Sequence, residues 1–94
     1  MAESKTINTD ADARTFIAAE RTEYASELAR AERFGFIALR FERWAKDVTG
    51  TSPRDTEDRR TLSAIARELR KAQKEDAASY AARREALRSG APLR

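Results

Sequence analysis

The sequence contains no cysteine and no histidine. Without cysteine, the chain can form neither a disulfide nor a thiolate metal site, and it has no cysteine nucleophile. Without histidine, it lacks the most common general base and the most common ligand of transition metals in proteins. No catalytic, cofactor-binding or metal-binding motif stands out among the remaining residues. We therefore expect a protein that is not an enzyme and that carries no cofactor.

Residues that break helices are also rare, because only two prolines and three glycines interrupt the 94 residues. Valine and isoleucine are scarce, whereas alanine, arginine and glutamate are abundant. This balance favours helix strongly over strand. A chain of this length has room for one small domain. We predict a single all-α domain.

Long apolar segments are missing as well. No run is long enough to cross a bilayer, and the first ten residues lack the hydrophobic segment of a signal peptide. We therefore expect a cytoplasmic protein without membrane contact. The formal charge of +3 is uneven, since residues 10–49 carry seven basic and eight acidic side chains and residues 50–94 carry eleven and seven. The positive excess belongs to the second half of the chain.

The start of the first helix and the turn after it are marked by capping residues. Thr9 or Asp10 can cap the first helix, and no proline follows until Pro53. Gly50 can end that helix in the left-handed conformation that glycine favours. We predict a flexible tail over residues 1–9, helix 1 over about 10–48 and a turn over 49–52.

The ends of the second helix are marked more clearly than those of the first. Ser52 is a good capping residue, Pro53 suits the first turn, and Asp55 stands at the third position to complete a capping-box arrangement. Gly90 and Pro92 can stop the helix. We predict helix 2 over about 53–89 and a C-terminal tail over 90–94.

Both predicted helices carry apolar residues at alternating spacings of three and four, which indicates a packing seam. A short turn between two long helices favours an antiparallel hairpin. A turn centred near Gly50 would pair large residues with large ones in the middle and Ile17 with Leu87 at the far end. The central pairs are Phe41 with Leu62, Ile37 with Ile65 and Phe34 with Leu69.

Helix 1 also has a second apolar stripe that lies more than about 100° from the first on a helical wheel. Two explanations are open. The helix could bend or break at Gly35, where glycine weakens a helix. Alternatively, both stripes are used, one inside the hairpin and one against a second subunit. We favour the second explanation, because the side chains outside the hairpin seam would otherwise stay exposed.

Two helices alone bury little surface, so we predict that two hairpins dimerise into a four-helix bundle. The predicted contact residues for this homodimer, or for another protein, are Leu28, Gly35, Phe36 and Leu39. The predicted function is a protein-interaction module, that is, an adaptor, regulator or inhibitor.

A basic cluster in helix 2 supports an alternative function, a dimeric nucleic-acid-binding protein. Clustered cations can contact phosphates, although no aromatic platform and no glycine-rich phosphate loop accompany them. The cluster consists of Arg67, Arg70, Lys71 and Lys74. A third alternative is a helical-bundle enzyme that uses only arginine and glutamate. The carboxylates of Glu20, Glu23 and Glu27 recur at helical spacing, and we interpret them as a solvated acidic face.

Overall fold

The computed structural model describes residues 7–90 and shows an all-α fold. Its helices are α1 (Asp10–Glu23), α2 (Glu27–Asp47) and α3 (Pro53–Ser89), and residues 7–90 contain no strand. The two long helices, α2 and α3, pack against each other in antiparallel orientation, as the hairpin prediction requires. The long helix α3 has the predicted bounds.

The prediction of one continuous helix over residues 10–48 is wrong, because the chain leaves the helical conformation at Tyr24 and re-enters it after Ser26. Tyr24 is extended, with φ −115° and ψ 119°. The hydroxyl of Ser26 accepts a hydrogen bond from the Ala29 N–H at 3.2 Å and thereby caps α2. Gly35, the position at which the sequence allows a break, lies inside α2.

The break lets α1 fold back and lie parallel to α3. Arg14 of α1 pairs with Glu68, and Arg21, seven residues later, pairs with Glu75. The predicted pairing of Ile17 with Leu87 is therefore wrong: Ile17 is buried, whereas Leu87 is 66% exposed. The third helix of the bundle comes from the same chain, so the packing argument for a second hairpin loses its force.

The core lies where the three helices meet. Phe34, Ile65 and Leu69 are almost inaccessible to solvent. The rings of Phe16 in α1 and Phe34 in α2 meet edge to face at 6.2 Å, an arrangement that aromatic quadrupoles favour. All six residues of the three central pairs predicted for the hairpin lie in this core, together with Ala38 of α2 and Ala66 of α3.

The segment before α1 belongs to the fold. Ile7 is only 3% exposed and joins the core, and Thr9 caps α1 by accepting a hydrogen bond from the Asp12 N–H at 3.1 Å. The predicted flexible tail is thus wrong for residues 7–9. Residues 1–6 and 91–94 of the predicted tails lie outside the described residues.

The turn between α2 and α3 does not use glycine as predicted. Gly50 lacks a positive φ, and in residues 7–90 only Gly90 has one, at 76°. A Cβ atom on Gly50 would collide with the carboxylate of Asp55, so a larger residue at position 50 would have to displace that side chain. Arg59 closes the turn by donating hydrogen bonds to the carbonyls of Val48 and Gly50 at 2.7 and 2.6 Å.

The molecule is elongated, with extents of 57 × 23 × 17 Å. The long axis corresponds to the 37 residues of α3, which span about 55 Å at 1.5 Å per residue. None of the helices within residues 7–90 is long and apolar enough to cross a membrane.

Candidate functional site

Helix α2 has a buried side and an exposed side. Phe34 and Ala38 point into the core and are inaccessible to solvent. At about 100° per residue, Phe36 projects from the opposite side of the same helix. We name this side the outward face of α2 and define it by Leu28, Glu32, Phe36, Leu39 and Arg43.

Three apolar side chains of the outward face are substantially exposed. Phe36 is 64% exposed, Leu28 39% and Leu39 36%. Single apolar residues are common on protein surfaces, but an exposed phenylalanine flanked by leucines on one helix face is typical of an interaction site. Of the four predicted contact residues, the structure brings these three to one surface.

The fourth, Gly35, lies elsewhere. It is buried, and a Cβ atom placed on it would approach the side-chain nitrogen of Gln73 in α3 to 2.4 Å. Gly35 therefore allows α2 and α3 to approach each other, and its inclusion among the contact residues is corrected. The sequence could not distinguish these uses, because glycine at a helix–helix contact and glycine at a surface leave the same pattern.

The three-four spacing of Phe34, Ile37 and Phe41 continues to Trp44 and predicts that Trp44 also lies in the hairpin seam. In the structure Trp44 is instead 56% exposed. Its ring stacks on Phe41 at 5.9 Å between centroids. Both rings line a groove of about 340 Å³ near the α2–α3 turn, which Ile7 also lines. Trp44 thus belongs to the end of the bundle and not to the outward face of α2.

A cluster of charged side chains holds α2 in position. Arg30 of α2 and Arg21 of α1 both donate hydrogen bonds to Asp76 of α3, whose side chain is only 7% exposed. The hydrogen bond from Arg30 to Asp76 raises the pKa of Arg30 above its ordinary value. Arg30 also donates to the carbonyl of Tyr24, where α1 ends. One carboxylate therefore joins all three helices.

A second buried carboxylate corrects the prediction of a solvated acidic face. Glu20 is 5% exposed and accepts a hydrogen bond from Arg33 of α2. Glu27 pairs with Arg83 instead, and hydrogen bonds from Arg83 and Ser79 lower the pKa of Glu27. No group of three carboxylates within residues 7–90 has a geometry that could hold a metal ion.

The basic cluster of α3 is divided in the structure. Arg70 donates two hydrogen bonds of 2.8 Å to the carboxylate of Glu42 and one to Gln73. The interaction lowers the pKa of Glu42 and raises that of Arg70. Arg67, Lys71 and Lys74 are exposed. Three of the four predicted basic residues thus remain accessible, and the fourth joins α3 to α2.

Sequence reasoning missed the charged cluster and the role of Ile7. A signal for the cluster was present, because Asp76 occupies a seam position of α3 where an apolar residue would be expected, and a buried carboxylate needs cationic partners. Ile7 is the only large apolar residue after Met1 and before Phe16, so its position offered no periodic pattern to read.

Comparison of the chain with protein-family models, with characterised proteins and with solved structures finds no match in any of the three.

Proposed function

We propose that this protein is a small interaction module, without enzymatic activity, that binds protein through the outward face of α2. The single observation that carries the proposal is the 64% exposure of Phe36 on a helix whose other side is fully used by the core. The conformation of a packed helix is fixed before binding. Its side chains can therefore form a contact with little loss of backbone entropy.

Burial of the exposed apolar side chains of this face would contribute enough free energy to hold a binding partner. Complete burial of a phenylalanine side chain contributes roughly 1.5–3 kcal/mol, and each neighbouring leucine can contribute a similar amount if it is fully buried. The charged side chains of Glu32 and Arg43 lie beside the apolar ones. An aromatic centre with a polar rim is the usual anatomy of protein interfaces.

The test compares Phe36→Ser with Leu87→Ser, because both remove a large apolar side chain of nearly equal exposure from different surfaces. Tagged wild type and both variants are purified from cells that also express the untagged chain, and the proteins that copurify are compared. We expect Phe36→Ser to lose its bound protein and Leu87→Ser to retain it. Circular dichroism should show equal helicity for all three.

Identical bound proteins for Phe36→Ser and wild type would contradict the proposal. A third variant separates it from the nucleic-acid alternative: Arg67, Lys71 and Lys74 are changed together to Gln. Under the proposal this variant keeps its bound protein. Under the alternative it loses salt-dependent binding to duplex DNA, which reflects cation release from phosphates.

A further inference from the structure

The outward face of α2 has a pattern that extends beyond the exposed apolar residues. From Glu32 to Arg43 its side chains recur at spacings of four, three and four, and Ala29 and Lys46 continue this alternation at the two ends. Alternating spacings of three and four are typical of a seam between two paired helices. This seam is separate from the one that faces α3. Two of its three charged residues, Glu32 and Arg43, stand one turn from an apolar residue. The seam residues are Ala29, Glu32, Phe36, Leu39, Arg43 and Lys46.

We propose that the partner is a second copy of this chain, whose α2 packs antiparallel against the outward face of the first; this inference rests on the proposed function. In the antiparallel alignment that places Phe36 opposite Leu39 of the second copy, Glu32 stands opposite Arg43. Two-fold symmetry repeats each of these contacts, as in most homodimers. The centre of the interface is apolar, and an ion pair flanks it on each side.

Charge decides between the two orientations. A parallel pairing in register would place Glu32 against Glu32 and Arg43 against Arg43, and like charges across an interface are unfavourable. The antiparallel pairing converts all of these contacts into attractions. Glu32 and Arg43 are both exposed, and neither takes part in a hydrogen bond or ion pair with another residue of 7–90. An intermolecular pair between them therefore breaks no interaction within this part of the chain.

The expected dimer is weak. Two helices of 21 residues bury less surface than a standard protein interface of about 1,600 Å². We expect a dissociation constant on the order of 10 µM. Within residues 7–90 the approach is open, because the core side of α2, with Phe34 and Ala38, faces α1 and α3, whereas Phe36 on the other side is exposed.

Charge reversal with purified full-length protein tests the pairing. Sedimentation equilibrium from about 1 to 300 µM, a range that brackets the expected constant, is measured for wild type, Glu32→Arg and Arg43→Glu. Each single variant should dimerise at least about tenfold more weakly, because it creates two like-charge contacts. A 1:1 mixture of the two variants should recover dimerisation, since every contact then joins opposite charges. Arg67→Glu, which makes the same charge change on α3, should behave as wild type.

The orientation has its own test, because the chain has no native cysteine. In the antiparallel alignment Ala29 stands opposite Lys46 of the second copy. Ala29→Cys mixed with Lys46→Cys should therefore form the mixed disulfide in preference to either symmetric one. Preferential linkage of two Ala29→Cys chains to each other would overturn the antiparallel pairing.

Wild-type protein that stays monomeric throughout the concentration range would overturn the inference, as would single variants that dimerise like wild type while retaining their helicity. The copurification experiment tests the proposed function separately from dimerisation. If the purified chain is monomeric but Phe36→Ser still loses a different bound protein in the copurification experiment, only the choice of partner is wrong.

Discussion

The guanidinium of Arg30 lies against the carboxylate of Asp76 and donates hydrogen bonds to both of its oxygens at 3.2 and 3.3 Å. Both side chains are largely buried, with exposures of 11% and 7%. Removing one member of such a pair leaves a charge without a partner in a poorly solvated place, which costs more than the pair itself contributes. Loss of either member should therefore destabilise the packing of α2 against α3.

Asp76→Ala should lower the free energy of unfolding by about 3 kcal/mol, because Arg30 loses its partner and Arg21 loses one of its two. Glu75→Ala is the matched control: it removes the other, exposed partner of Arg21 and should cost less than about 1 kcal/mol. Urea unfolding followed by circular dichroism measures both. Equal losses for the two variants would contradict the central role of Asp76.

The effect of Gly35→Ala on the free energy of unfolding should depend strongly on which residue stands at position 73. Alanine favours a helix over glycine by about 1 kcal/mol, but the new Cβ must displace the side chain of Gln73 and disturb its hydrogen bond with Arg70. We expect Gly35→Ala to be nearly neutral in the wild-type chain and to stabilise by about 0.5–1 kcal/mol in a Gln73→Ala background. A double-mutant cycle measures the coupling. Additive effects would show that Gln73 does not obstruct position 35.

Stability should fall as the pH drops below about 4.5. Hydrogen bonds from Arg70 and Arg83 lower the pKa values of Glu42 and Glu27 below their ordinary value of 4.5. In this range the unfolded chain binds protons before the folded chain does, so acid favours unfolding. The stability that the two ionised carboxylates contribute is complete above pH 4.5. It is lost as the pH falls through their lowered pKa values.

The contribution of Glu42 to this acid sensitivity can be isolated. Glu42→Gln removes the titrating group, and Arg70→Gln removes the main cause of its lowered pKa. Urea midpoints between pH 3 and 7 should therefore fall less steeply toward acid in both variants than in wild type. If the urea midpoint of Arg70→Gln falls with pH as steeply as that of wild type, the Glu42–Arg70 ion pair is not the source of the acid sensitivity.

Ile7→Ala should destabilise the fold by about 2 kcal/mol or more, because Ile7 is 3% exposed and its loss leaves a gap in the core. Ile7 lines the same groove as Trp44, the only tryptophan. The variant should therefore also change tryptophan fluorescence. Asn8→Ala, an exposed neighbour in that groove, should change stability by less than about 0.5 kcal/mol. Unchanged stability in Ile7→Ala would show that the segment does not pack in solution.

The sequence predicted the α2–α3 pair well because local and distant signals agreed there. Ser52, Pro53 and Asp55 mark the start of α3, and the Ser52 hydroxyl accepts a hydrogen bond from the Asp55 N–H in the structure. The seam of large apolar residues then determines which sides of α2 and α3 meet. Exposure of Phe36 and Leu39 followed directly, since they lie outside that seam.

The break before α2 could not be predicted in the same way. Residues 23–27 contain neither proline nor glycine, and a continuous helix satisfies their local preferences. Burial of α1 against α3 and the hydrogen bond from Arg30 to the Tyr24 carbonyl stabilise the turn, and both arise only in the folded protein. The divergence of the two apolar stripes was the available signal, but a bend at Gly35 and a second subunit each accounted for it.

The last part of α3 has a different dynamic character from the rest. Arg83 reaches Glu27, but Arg84, Glu85 and Leu87 beyond it are exposed. Helical hydrogen bonds there are supported by local preference, by the Gly90 cap and by exposed contacts within the helix such as the Arg88–Glu85 ion pair. Short helical segments without packing are marginal in water. Amide protons after residue 84 should exchange through fraying of the helix end, whereas those near Leu69 should exchange only when the whole bundle unfolds.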